Sequence, residues 1–110
     1  MTLLCIAALC LTATITDGDT IRAGGQGHRL WGIDAPERAD AGGPASTATL
    51  RALTDGQQLQ CDVVDVDRYA RPVVICTLPD GRDLACEMVR KGQAVDWPKY
   101  SKGAYAGCGG

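Results

Sequence analysis

Three short runs of this sequence combine acids and arginines in a way that could handle a phosphate. The first is Asp17-Gly18-Asp19-Thr20. The second is Arg29-Leu30-Trp31-Gly32-Ile33-Asp34-Ala35-Pro36-Glu37, and the third is Asp67-Arg68-Tyr69-Ala70-Arg71. Carboxylates and main-chain carbonyls are the donors a hard cation such as calcium takes, with water completing its shell. A guanidinium presents a planar fork that matches a phosphate, which an ammonium does not. Together the runs supply two carboxylates for a cation, a further acid and two arginines. Phosphodiester cleavage needs a cation, fixed positive charge on the phosphate oxygens and a base for water. Taken singly, each run is bland. D-G-D is a common solvated turn, and the third run reads as a charged, solvent-facing loop.

The rest of the pattern outlines the elements that must hold these runs. Residues 9–16 alternate apolar and polar at Leu11, Ala13 and Ile15, as a half-buried strand does. The first run turns the chain into a short strand over 20–23, and Gly24-Gly25-Gln26-Gly27 turns it into a third over 28–33. Alternation there puts Arg29, Trp31 and Ile33 on one face and Leu30 and Gly32 on the other. Trp31 and Ile33 read as packing residues, His28 as a polar strand residue, and Asp17 as a turn residue at the rim. Pro36 breaks the strand and re-aims Glu37. A helix is expected over 46–54, with Leu50 and Leu53 on one face and Gly56 as its stop. Strands follow over 58–66 and 72–78, with the third run between them. Asp83 caps a short helix reaching Lys91, and residues 94–97 add a short extended piece. This order is that of a β-rich α+β domain, a five-stranded OB-type barrel with short helices.

At 110 residues the chain makes one domain. Its formal charge of −2 provides no global attraction for nucleic acid, so phosphate binding has to be local. Six cysteines in so short a chain suggest disulfides and an oxidising compartment. A single His and the lack of a C-x-x-C pair argue against zinc. Residues 1–11 are apolar except for Thr2. For residues 1–8 the expectation is divided between a signal peptide or N-terminal extension and a barrel strand. The run is too short to cross a bilayer as a helix.

The order and spacing of D-G-D-T, R-L-x-G-I-D-A-P-E and D-R-Y-x-R resemble the staphylococcal nuclease family, over residues 11–97. The nine residues beginning at Arg29 are the specific part. The resemblance implies that Asp19, Asp34 and the main-chain carbonyl of Ala35 bind calcium. It implies Glu37 as general base, with Arg29 and Arg71 clamping the phosphate and stabilising the charge that develops on it. It implies that Tyr69 contacts the nucleotide. Arg68 and Trp97 complete the expected substrate contacts, although Tyr100 and Tyr105 compete with Trp97 for a second stacking position. The implied activity is a calcium-dependent nuclease acting on DNA and RNA, preferentially single-stranded, and leaving 3′-phosphate ends. A monomer without a membrane partner, secreted or periplasmic, is expected. Residues 9–110 would be its domain, cut short after 110 where the family usually continues into a further helix. Ala70 stands where the family often has Gly, and a positive φ there would strain the loop by about 1 kcal/mol. The loop after Glu37 is shorter than in the staphylococcal enzyme.

A second reading, from another class, is a non-catalytic module that binds nucleic acid or protein on the same barrel. The five acidic and arginine positions favour the enzyme, and the net negative charge leans the other way. Antiparallel pairing of the strands over 58–66 and 72–78 would make Cys61 and Cys76 neighbours and disulfide partners, the other reading being two buried free thiols. Spacing selects no pairing for Cys5, Cys10, Cys86 and Cys108.

Overall fold

The strand read over residues 9–16 runs one residue further, to Asp17, and a separate strand precedes it. A computed structural model describes residues 1–109. Its elements are β1 (Thr2–Ile6), β2 (Leu9–Asp17), β3 (Thr20–Ala23), β4 (Gln26–Leu30), β5 (Ile33–Asp34) and α1 (Gly43–Thr54). There follow β6 (Gln58–Val66), β7 (Pro72–Thr77), α2 (Leu84–Arg90), β8 (Val95–Asp96) and α3 (Pro98–Ser101). Strands β1 to β4 form an antiparallel meander and β6 and β7 a hairpin. Parallel pairings of β1 with β6 and of β4 with β7 close the barrel in the order β1-β2-β3-β4-β7-β6.

The barrel has six strands, one more than the count read from the sequence, and the expected β-rich α+β barrel with short helices is borne out. The sixth is β1, whose residues the apolar N-terminal run left open between leader and strand. Leu4 points inward to the core, and Cys5, on the other face of the strand and bridged to Cys10, is buried as well. Leu4, Ile21, Leu30, Leu59 and Val74 fill the interior, with Leu50 of α1 and Leu84 and Met88 of α2 packed against them. Burying each such Leu contributes roughly 1.5–3 kcal/mol, enough for a core without Phe.

The third strand is shorter than expected. It ends at Leu30, because Gly32 takes φ +82° and turns the chain before β5. That turn resets the alternation, so Ile33 is buried like Leu30 rather than sharing a face with Arg29. His28 is buried as well, its Nδ1 at 2.9 Å from the carbonyl of Gln26. The α1 helix starts three residues before the expected Ser46, with Pro44 in its first turn, where its missing N–H is harmless. Asp83 does cap α2, accepting from the N–H groups of Ala85 and Cys86. Cys61 and Cys76 face each other in register and are joined, as expected. The remaining cysteines pair as Cys5–Cys10 and Cys86–Cys108. Val63, two residues on from the buried Cys61, is exposed because β6 bulges between Val63 and Asp65 as it leaves the barrel. Among the described residues, no helix is long and apolar enough to cross a membrane.

Candidate active site

The turn between β2 and β3 owes its shape to what Gly18 lacks. A Cβ on Gly18 would stand 1.8 Å from Ser46 Oγ and 3.0 Å from Ala35 Cβ. Only glycine lets the turn lie against α1 and the segment after β5. Ser46 in turn donates to the carbonyl of Gln93 at 2.7 Å, tying α1 to the chain leading into β8. This contact brings Asp19 to Ala35, whose N–H donates to Asp19 Oδ2 at 2.9 Å. The hydroxyl of Thr20 donates to Oδ1 at 3.1 Å. On the neighbouring strand, Arg29 lies 3.2 Å from Asp19 Oδ2 and 3.6 Å from Asp34 Oδ1.

Burial out of water holds the Asp19 carboxyl above its ordinary range, against the charge of Arg29 and the hydrogen bonds from Ala35 and Thr20. Two carboxylates share one arginine, which leaves the group one negative charge over. Every cysteine described is oxidised, so no thiolate competes as a donor. Oxygen donors with an uncompensated negative charge suit a hard divalent cation. No cluster of three or more His, Cys, Asp or Glu side chains stands ready to enclose an ion among the described residues. A cation here would keep much of its water.

Asp34 also leads into a cavity of about 570 Å³, lined by Ala35, Pro36, Glu37, Asp40 and, opposite, Gly92 to Val95. The pairing of β5 with β8, Ile33 with Asp96 and Asp34 with Val95, builds that opposite wall. Glu37 is solvent-exposed at this cavity, and its carbonyl accepts from Asp40 N–H. Beyond β8, Trp97 N–H donates to the Gly32 carbonyl, and the Trp97 ring covers the Arg29 guanidinium at 5.5 Å. Tyr100 meets Trp97 edge-on at 4.5 Å. Both are exposed. Tyr105 is not: it meets Trp31 edge-on, fills the space a side chain at Gly32 would need, and donates its hydroxyl to Asp83. Burial, reinforced by that hydrogen bond, pushes its phenol pKa up. Of the three aromatics left open by the sequence, Tyr105 is a packing residue.

Arg71 enters from the β6–β7 loop. Asp67 accepts from the N–H groups of Tyr69 and Arg71 and pairs with Arg71 Nε at 2.7 Å. Burial pushes the Asp67 carboxyl up, but these hydrogen bonds outweigh it and hold the group below its ordinary range. The guanidinium groups of Arg68 and Arg71 lie 5.0 and 5.6 Å from the Tyr69 ring. Ala70 sits at φ +62°, the left-handed position that the sequence made a concern. The structure thus gathers Asp19, Arg29, Asp34, Ala35 and Trp97 into one contact group and Asp67, Arg68, Tyr69 and Arg71 into a second. Glu37 makes no side-chain hydrogen bond or ion pair to either group, and lines the same cavity as Asp34 and Ala35.

A staphylococcal nuclease homologue family model matches residues 28–106, most of the chain. The chain belongs to the staphylococcal nuclease homologue family. It is 33% identical over 105 residues to the succinoglycan biosynthesis protein ExoI of Rhizobium meliloti, covering 86% of this chain and 55% of that protein. It is 32% identical over 97 residues to a Haemophilus influenzae protein named "Uncharacterized endonuclease", covering 84% and 54%. A rice protein named "Probable staphylococcal-like nuclease CAN1" is 37% identical over 76 residues, covering 67% and 22%. The chain spans about half the length of the first two relatives. The family match leaves two structural roles that sequence reasoning passed over. Asp67 organises the Arg71 loop, and its signature was an Asp followed by N–H groups two and four residues on. Ser46 seats the Asp17–Gly18–Asp19 turn, and no local pattern announced that contact, which spans 28 positions between Gly18 and Ser46.

Proposed function

We propose that this chain is a calcium-dependent nuclease that hydrolyses phosphodiester bonds of DNA and RNA, preferentially single-stranded, leaving 3′-phosphate ends. The observation that carries the reading is Arg29 held between Asp19 and Asp34 beside the cavity of Glu37. Asp19, Asp34 and the Ala35 carbonyl would hold calcium, which when bound supplies charge that polarises the scissile phosphate. Glu37 accepts the proton of the attacking water, for which its exposed carboxylate at the cavity has room. Arg29, restrained by its carboxylate partners and the Trp97 ring, donates to the non-bridging oxygens as charge builds on them. Arg71, aimed by Asp67, closes on the phosphate from the other hairpin. Tyr69, Arg68 and Trp97 contact the bases and backbone, where stacking on exposed rings suits a single strand. The disulfides suit a secreted or periplasmic enzyme.

End analysis of digested, end-labelled single-stranded DNA tests the reaction. The reading expects fragments that a 3′-phosphatase shifts in mobility, formed with calcium and poorly with magnesium, whose octahedral demand an open two-carboxylate site meets badly. Fragments carrying 3′-hydroxyls would refute the assigned product. Binding of the strand without cleavage would favour a non-catalytic module.

A further inference from the structure

The outer face that carries Arg29 carries a second arginine row, which the reaction above does not use. Thr20 pairs with Arg29 and Arg22 with Gly27 across β3 and β4. Ile21, Ala23, His28 and Leu30 are buried in the barrel. Period two therefore sets Thr20, Arg22, Gly27 and Arg29 outside. The Cδ of Arg71 lies over the bare face of Gly27, 3.5 Å from where a Cβ would stand, with Thr20 Cγ2 at 3.6 Å. Arg22 is thus beside Arg71 across the β3–β4 ladder. It lies one row, roughly 7 Å along the strand, from Arg29. It is on the side away from Asp34, which follows the other end of β4.

The three arginines differ in how they are neutralised. Arg29 is paired with Asp19 and Asp34, and Arg71 with Asp67. Arg22 is exposed and has no carboxylate partner among the described residues. One of its nitrogens donates to the Gly25 carbonyl at 3.0 Å, holding the guanidinium on its own hairpin with donors to spare. In a chain of net charge −2, an uncompensated arginine in line with two others is a local anion track.

We propose that Arg22 binds a further backbone phosphate of the polynucleotide, beyond the one held by Arg29 and Arg71. The substrate class is then a strand of several nucleotides rather than a single nucleotide or dinucleotide. This rests on the nuclease reading. The exposed Arg22, with the exposed ring of Tyr69 beside Arg71, matches a single strand, whose backbone follows positive charge while its bases stack on exposed rings.

Binding of labelled oligothymidylates to a Glu37→Gln protein, followed by fluorescence anisotropy over a range of salt, tests it. In that background Arg22→Ala should weaken an oligomer of about eight nucleotides roughly fivefold and lower the salt slope by about 0.7, one phosphate contact on a single strand. A dinucleotide should lose less than about twofold, since it does not reach the site. Arg22→Lys should keep the slope. Arg22 is exposed, and unchanged circular dichroism will show that its variants remain folded. Equal octamer affinity and equal slope with and without Arg22 would overturn the inference and leave the nuclease reading standing. If the parent protein binds no oligomer and the wild type cleaves none, the nuclease reading falls and the Arg22 site with it.

Discussion

Arg29 is the residue on which the site turns, because one guanidinium touches both proposed cation carboxylates and lies under Trp97. Arg29→Lys keeps the charge and loses the fork, so turnover should fall roughly a hundredfold or more, read by single-turnover cleavage. Glu37 has neither an ion pair nor a side-chain hydrogen bond among the described residues, so Glu37→Gln should slow the chemical step while leaving stability and calcium binding in place. Parent-rate cleavage by that variant would remove Glu37 from the mechanism. Ala70 marks a different kind of effect. Its φ of +62° is strained for any residue with a Cβ, so Ala70→Gly should stabilise the fold by about 1 kcal/mol in urea denaturation. No gain, or a loss, would mean that the loop carries no strain worth relieving. The motif residues were legible because their types are chemically restrictive. The individual contacts were not: nothing local in R-L-W-G-I-D assigns Arg29 to Asp19 in the β2–β3 turn.

At the scale of elements, alternation located the barrel strands well and their ends poorly. Gly32 ends β4 through a left-handed turn that a period-two pattern cannot register, which is why Ile33 was assigned to the face of Arg29. The apolar run at the start fitted a strand and a leader equally, since both are short and hydrophobic; pairing with β2 and β6 builds residues 2–6 into the barrel. The Cys61–Cys76 bridge was readable because consecutive strands pair antiparallel by default. Cys86–Cys108 was not, since it joins a helix to a run of turns. The decisive contact between elements is Gly18 against Ser46. Gly18→Ala would drive a methyl into the Ser46 hydroxyl, so it should destabilise by about 1–3 kcal/mol, as overpacking does, and displace Asp19. Stability within a few tenths of wild type would show that the turn yields without cost.

The whole molecule places its acids in two environments with opposite consequences for pH. Glu87, bound first by Arg90 and then by Arg82, has its pKa held at about 2, below its ordinary 4.5. A depressed carboxyl favours the fold fully above 4.5 and loses that contribution as pH falls toward 2. Asp67 acts in the same sense. Asp19 acts in the other: with its folded-state pKa raised, it favours the fold when protonated and withdraws that support as pH rises through the raised value. Glu87→Gln should therefore lower thermal stability at neutral pH and flatten the acid limb between 4.5 and 2. An unchanged acid limb would place the acid sensitivity elsewhere. The desolvated, under-compensated carboxylate of Asp19 suits the proposed cation, which with these side chains would cut nucleic acid. The most direct measurement is release of acid-soluble fragments from single-stranded DNA by the purified protein in calcium, with and without excess chelator. Release that needs calcium, stops in chelator and returns when calcium is restored is the predicted result. No release at any calcium concentration from folded protein, or release that continues undiminished in chelator, would contradict it.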